Sequence, residues 1–372
     1  MTGIYSRIIR LVAVLAAAIA IGGALLIYMF QGSPELSRRR VIENSGSLIS
    51  YIRKEQKKLS AYDRLHELEL HIPRGHRASE FTIEESGTFT VYTIHIPDIN
   101  ASYFADFPVT GNGRNISDMT YNISASGGTV SIVTSQPLFL KKTSDGQRVF
   151  FDFISPRQYF DKIVVIDPGH GGRDQGASAG GDCEKDITLS VVKKMKQITG
   201  ISACRELKDY SDQISAVNVG GVGRVGFFYT RLSDRKVFLK ERGAFARALK
   251  PDLFLSVHVN STASGRISYI NGASVLYRAG DKTGESKRFA GIVEKGLLKD
   301  LGAKSKGTIA GDELYLIRTA QWPVALAELG FITNPSEHRK LVSQSYQKKA
   351  AESMIRAVEE YLGPKAQRQE RA

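Results

Sequence analysis

Cysteine is nearly missing from this chain: its 372 residues hold two, Cys183 and Cys204. That excludes a disulfide-stapled scaffold and a cysteine-rich structural zinc module. Acidic residues are in deficit too, 38 against 51 lysines and arginines, for a formal charge of +13. Such a surplus favours anionic partners, whether acidic lipid, nucleic acid or an anionic polymer, without choosing among them. At 42% hydrophobic and 24% charged, the chain is too polar for a multi-span membrane protein and too apolar for a disordered one. Roughly 340 residues beyond a first apolar stretch suggest two folded units at roughly 150 residues per domain.

What is present begins with that stretch. Arg7 and Arg10 precede an uncharged run over 11–30. About 20 apolar residues at ~1.5 Å each span a hydrocarbon core of ~30 Å. Residues 1–33 are therefore expected to form an uncleaved transmembrane anchor. The rival reading is a secretory signal cleaved near Ala18, Ile19 and Ala20, although the run continues past them to Phe30. Arg38, Arg39 and Arg40 crowd the far flank, so positive charge alone does not orient the chain. Residues 34–62 are basic and expected to be helical, as a solvated spacer or as a segment lying on anionic headgroups.

Over 63–158 the composition shifts to short β-branched and aromatic runs, at 81–83, 89–96, 129–134 and 148–154, parted by Gly, Asn, Ser and Pro. That is the rhythm of a small all-β domain, expected as a sandwich. It holds no catalytic constellation, so binding or spacing is its expected job. His66, Glu67 and His71 imitate the H-E-x-x-H motif with one residue too many. Zincin chemistry needs both histidines at i and i+4 of one helix, so these are expected to be exposed or linker histidines.

Over 159–363 strands alternate with longer helical patterns, the signature of α/β with a mixed, mostly parallel open sheet flanked by helices. Strands are expected at 162–166, 227–231, 253–257, 273–277, 314–317 and 324–327. Helices are expected from Asp186 toward Ile198, over 237–249, over 285–301 and over 345–362, before a basic tail at 364–372. The polar residues at the strand ends stand out. Asp167, Pro168, Gly169 and His170 follow the first strand; His258 and Asn260 end the 253 strand; Glu328 ends the 324 strand. In open α/β sheets the reactive crevice lies at the carboxyl ends of the strands. Glu184, between a Gly-rich loop and the first helix, is a further candidate. Two imidazoles and one carboxylate suffice to hold a catalytic Zn²⁺ with a position left open, and a second carboxylate could move a proton.

Four segments in order, D-P-G-H-G-G-R-D-Q-G, E-K-D-I-T-L, S-V-H-V-N-S and A-E-L-G-F-I-T-N-P-S-E, resemble the zinc-dependent N-acetylmuramoyl-L-alanine amidases of bacterial cell walls. The resemblance covers 162–362. It implies His170, Glu184 and His258 as Zn²⁺ ligands and Glu328 as the catalytic carboxylate. It implies hydrolysis of the amide between the lactyl group of N-acetylmuramic acid and L-alanine, with peptidoglycan as partner and no nucleic acid. It also implies that the C-terminal domain faces the wall, outside the membrane. The alternatives are a non-catalytic wall-binding scaffold of the same fold and a zinc peptidase acting on the stem peptide. The 63–158 region loosely resembles the wall-targeting sandwich of such amidases, and a plain spacer is the equal alternative. Two departures matter: 202–226 is longer than the usual link, and 277–314 has room for one helix, so the occluding helix of autoinhibited members is expected to be missing.

Smaller expectations complete the reading. Asp167 is a candidate to hydrogen-bond a ligand imidazole from behind, against a turn-forming role. Asn260 is a candidate substrate-binding residue, against a loop-capping role. Arg242 is expected to anchor its own helix, away from the site. The Gly-rich loop is expected to keep side chains clear of a bulky glycan. Gly176 to Gly180 match G-x-S-x-G but lie too far past the strand for a nucleophile elbow. Gly221 to Gly226 match G-x-G-x-x-G but precede a strand, so a flexible loop is expected. Cys183 and Cys204 are read as unpaired thiols, with a disulfide across the first helix as the alternative.

Overall fold

The computed structural model describes residues 66–86, 88–124, 127–200, 207 and 213–364. The expected anchor at 1–33, the basic segment at 34–62, Cys204 and the tail from 365 lie outside them. Among the described residues no helix is long and apolar enough to cross a membrane. Two compact units are present: one within Met1–Ser86, Val91–Ser135 and Leu140–Asp152, the other Gly87–Thr90, Gln136–Phe139 and Phe153–Ala372.

The first unit is β-rich. Its strands are β1 (Leu68–His71), β2 (Thr82–Glu85), β3 (Val91–Pro97), β4 (Ile116–Ser124), β5 (Gly127–Thr134), β6 (Phe139–Ser144) and β7 (Arg148–Ile154). They form two sheets, ordered β1-β7-β6 and β2-β3-β5-β4. Period-two burial is plain in β3, where Tyr92, Ile94 and Ile96 are buried and the residues between them are not. Sequence reading missed β1, β4 and β6. The false zinc motif lies on and beside β1. Glu69 is buried and paired with Arg148 at 3.0 Å, and His66 is bonded to Asp152 at 2.8 Å. These histidines are therefore structural pieces of a strand margin and not linker residues.

The second unit is a three-layer α/β fold. Its sheet is built from β8 (Lys162–Pro168), β11 (Ile214–Val219), β12 (Gly223–Tyr229), β13 (Leu253–Asn260), β14 (Ala273–Tyr277), β15 (Ser305–Ala310) and β16 (Val324–Phe331), with a small ladder of β9 (Ser178–Ala179) and β10 (Asp182–Cys183) beside it. The order is β11-β12-β8-β13-β16-β14-β15. The four central strands β12, β8, β13 and β16 run parallel, while β11 and β14 run antiparallel to their inner neighbours. Helices α1 (Glu184–Thr199), α2 (Leu239–Leu249), α3 (Glu285–Leu301), α4 (Pro335–Leu341) and α5 (Gln344–Leu362) flank it. Apolar runs such as 163–166 and 253–257 are buried on both faces, as central parallel strands must be.

Three expectations are corrected. Residues 314–317 are no strand: Tyr315–Arg318 is one helical turn, since a four-residue apolar run carries no periodicity to separate helix from strand. The glycine-rich 221–226 is no flexible loop, because Gly221 turns a β-hairpin and β12 starts at Gly223. Much of the long 202–226 link is that hairpin. Finally, α1 begins at Glu184 with Cys183 as its N-cap, two residues before the expected Asp186. The 277–314 stretch holds one helix, α3.

Candidate metal centre

Parallel pairing sets His258 beside Glu328 in the β13–β16 register. His170 follows β8, the other neighbour of β13. Glu184 opens α1, where the positive end of the helix dipole favours a carboxylate. From three elements the side chains of His170, Glu184 and His258 converge, offering ligand atoms all within 4.8 Å of one another. Among the described residues this is the one group of three or more His, Cys, Asp and Glu side chains so arranged. Glu184 stands between the rings: Oε2 lies 3.1 Å from His170 Nε2 and Oε1 lies 2.8 Å from His258 Nδ1. The Ala177 and Val259 N–H groups donate to the same carboxylate.

The electrostatics follow from this crowding. Burial works against the charged form of Glu184, yet the two imidazoles hold its carboxyl well below the usual range. Burial likewise opposes a charged His170, but Glu184 and then Asp174 outweigh it and push the imidazole up to about 9. Glu328 is different. Burial pushes it up to about 7, with Glu184 adding and the two histidines opposing. Its Oε2 is buried and has no hydrogen-bond partner.

The donor set fits a tetrahedral divalent cation. Bonds of ~2.0–2.2 Å put neighbouring donors roughly 3.4 Å apart, close to the 3.1 Å between His170 Nε2 and Glu184 Oε2. Two imidazole nitrogens, one carboxylate and a second, unpartnered carboxylate beside them form the donor chemistry of a hydrolytic zinc site.

The supporting shell departs from the expectations. Asp167 does not touch a ligand imidazole. Its buried carboxylate is consumed by Arg242 Nη1 at 2.5 Å, Thr230 Oγ1 at 2.5 Å and Ser256 Oγ at 2.7 Å. Asp174 accepts from His170 Nδ1 instead, at 2.9 Å. Arg242 is likewise no private anchor of its helix. It donates to the carbonyls of Pro168 at 2.7 Å and His170 at 2.6 Å. Arg231, equally buried, donates to the carbonyls of Gly169 at 2.6 Å and Pro168 at 3.2 Å. The two guanidiniums thus clamp the His170 loop, and burial beside Arg242 lowers Arg231 to about 10. That clamp sustains His170 at φ 58°, a left-handed conformation costly for a residue with a Cβ. Asn260 Oδ1 accepts the Ser261 N–H at 2.8 Å, the turn-capping arrangement.

Two glycines of the loop make room for the side chains of the site itself. A Cβ at Gly169 would lie 2.4 Å from His258 Cε1, and one at Gly176 would lie 2.5 Å from Glu184 Oε2. Gly169→Ala is expected to swing the His258 ring aside and lower turnover on the order of 10²-fold, as a ~1 Å misplacement does. Steady-state kinetics beside a thermal melt check it: an unchanged melt with unchanged kcat would show that the ring has room to spare. The G-x-S-x-G match is inert in form, since Ser178 lies in the β9–β10 ladder and not in a strand-to-helix turn.

Comparison with known proteins agrees with this geometry. The N-acetylmuramoyl-L-alanine amidase family profile matches residues 164–204 and 221–360. An uncharacterised Bacillus subtilis protein, YqiI, is 36% identical over 204 residues, which are 54% of this chain and 84% of that one. The endolysin of Bacillus phage SPP1 is 34% identical over 55% of this chain and 67% of its own. The N-acetylmuramoyl-L-alanine amidase LytC of Bacillus subtilis is 31% identical over 52% of this chain and 34% of its own.

Proposed function

The chain belongs to the N-acetylmuramoyl-L-alanine amidase family and is a peptidoglycan amidase, and from that premise we propose that His170, Glu184 and His258 hold Zn²⁺ while Glu328 moves the proton. The observation that carries this assignment is the convergence of the three donors beside a buried carboxylate oxygen with no partner. When bound, the ion supplies Lewis-acid activation of the scissile carbonyl and of a water. Glu328 Oε2 takes the proton of the attacking water and returns it to the departing amine of L-alanine. Its placement suits both duties, since a proton shuttle needs an oxygen within reach and free of other partners. Glu184 holds both imidazoles in place, and Asp174 fixes His170 from behind through Nδ1. Asn260 is kept as a candidate contact for substrate amides, secondary to its turn-capping bond.

The proposal extends to location. The uncharged run at 11–30 is assigned as a single-pass anchor, with the catalytic unit on the wall side, because the substrate lies outside the membrane. The β-rich unit, which lacks a catalytic constellation, is assigned wall binding or spacing.

Digestion of purified peptidoglycan by the full chain in detergent, with products weighed by mass, tests the reaction. Free stem peptides and intact glycan strands are expected, abolished by a chelator and restored by Zn²⁺. Cuts between stem-peptide residues would replace this reading with a zinc peptidase, and wall binding without product would replace it with a scaffold.

A further inference from the structure

We propose that two loops at the carboxyl edge of the catalytic sheet are the walls of a glycan cleft, with the Tyr269 ring as its stacking platform. The inference rests on the amidase reading and adds how the polymer is held. Among the described residues, the five most exposed large apolar side chains are Tyr269 at 93%, Ile267 at 80%, Phe238 at 60%, Leu239 at 54% and Ile270 at 46%. Four stand on these two loops, and Leu239 opens α2 directly after the first.

The strand order places the loops on either side of the metal centre. The first, 230–238, leaves β12, the neighbour of β8 on the side away from β13. The second, 261–272, leaves β13 two residues past His258 and enters β14, whose Ser274 is paired with Glu328. His170, His258 and Glu328 come from the strands in between.

Both loops are moored. In the second, the Thr262 N–H donates to Thr333 Oγ1 at 3.2 Å, Ser268 N–H to the Thr333 carbonyl at 2.9 Å, and Gly272 N–H to Glu337 Oε1 at 2.9 Å. In the first, Asp234 accepts from Gly172 N–H and from Lys185 Nζ, each at 2.7 Å. The apolar side chains are therefore held out into water by fixed backbone. Concentrated exposure of this kind marks a surface meant to be covered.

The occupant follows from the reaction. The scissile amide hangs from one sugar of a polymer, so its neighbouring sugars must pass along the rim of the site. A pyranose ring offers a plate of C–H groups edged by hydroxyls. That plate suits an aromatic face, and the basic side chains beside the rings suit its polar edge. Lys236 Nζ lies 5.3 Å from the Phe238 ring centroid, and exposed Arg266 neighbours Ile267.

The test compares kcat/KM on long glycan strands with kcat/KM on a single muramoyl peptide, for the full chain carrying Tyr269→Ala or Tyr269→Phe. Tyr269→Ala is expected to lower the ratio about tenfold, chiefly through KM on the strands, and Tyr269→Phe to restore it. An unchanged ratio, or an equal loss on both substrates, overturns the proposal. Cosedimentation with glycan strands stripped of stem peptides supplies a readout free of cleavage, on which Tyr269→Ala is again expected to bind about tenfold more weakly. Tyr269-dependent binding there, from a wild-type chain that releases no stem peptide, would sink the amidase reading and leave the cleft standing. Tyr269-dependent binding to anionic phospholipid vesicles, with none to the strands, would assign the patch to a membrane and overturn the cleft.

Discussion

Glu328→Gln is expected to cut stem-peptide release on the order of 10²–10⁴-fold while leaving the fold and the bound metal in place. The substitution keeps shape and volume, so packing at the end of β16 is untouched. It removes the ability to accept a proton, and Oε2 is the atom placed to accept one, being buried, unpartnered and set in register beside His258. The cost of burial has already driven this carboxyl up to about 7. A neutral amide in the same place escapes that cost, so the melting temperature should hold or rise slightly. Turnover, zinc per chain and a thermal melt on one preparation decide it. Near-normal turnover would show that the proton travels through another group.

Glu184→Ala should fail differently, losing the metal itself. The change removes one of three converging donors and the anion that holds both imidazoles. Two histidines alone hold a divalent ion poorly, so zinc content should fall from about one per chain to near none, and activity with it. The Ala177 and Val259 N–H groups also lose their acceptor, a further cost of about 1–3 kcal/mol for a buried unpaired donor. Metal analysis of the two variants side by side separates their roles. Zinc retained in Glu184→Ala and lost in Glu328→Gln would exchange the two assignments.

How far the site was legible depended on where each residue's partners lie along the chain. His170, His258 and Glu328 come at or just past the ends of the apolar runs 163–166, 253–257 and 324–327, and strand ends in such sheets share one edge, so order along the chain was enough to group them. The same logic marked 253–257 and 273–277, whose runs are dense because both faces are buried. It failed at the sheet margins. Of the outermost strands, β11 interrupts its Ile, Ala and Val residues with Ser215 and Asn218, and β15 is Ser, Lys, Gly and Thr before Ile309 and Ala310, so neither leaves a dense run to see. Arg231 and Arg242 escaped for another reason: their partners are backbone carbonyls some 60–75 residues away. Arg242 did leave one trace. It lies on the same helical stripe as buried Phe245, Ala246 and Leu249, where a guanidinium has no place unless it is answered. Asp174 left none, since an aspartate in a glycine-rich loop reads as a turn.

The arginine clamp on the His170 loop carries a consequence for the life of the enzyme. With the carbonyls of Pro168, Gly169 and His170 already taken by Arg231 and Arg242, the loop has given up its conformational freedom during folding, before any ion arrives. Whatever binds beside His170 would then draw little on the entropy of this loop. A bend braced from outside in this way makes Arg231 and Arg242, neither of which is a ligand candidate, as decisive for the aim of His170 as the residues that touch it.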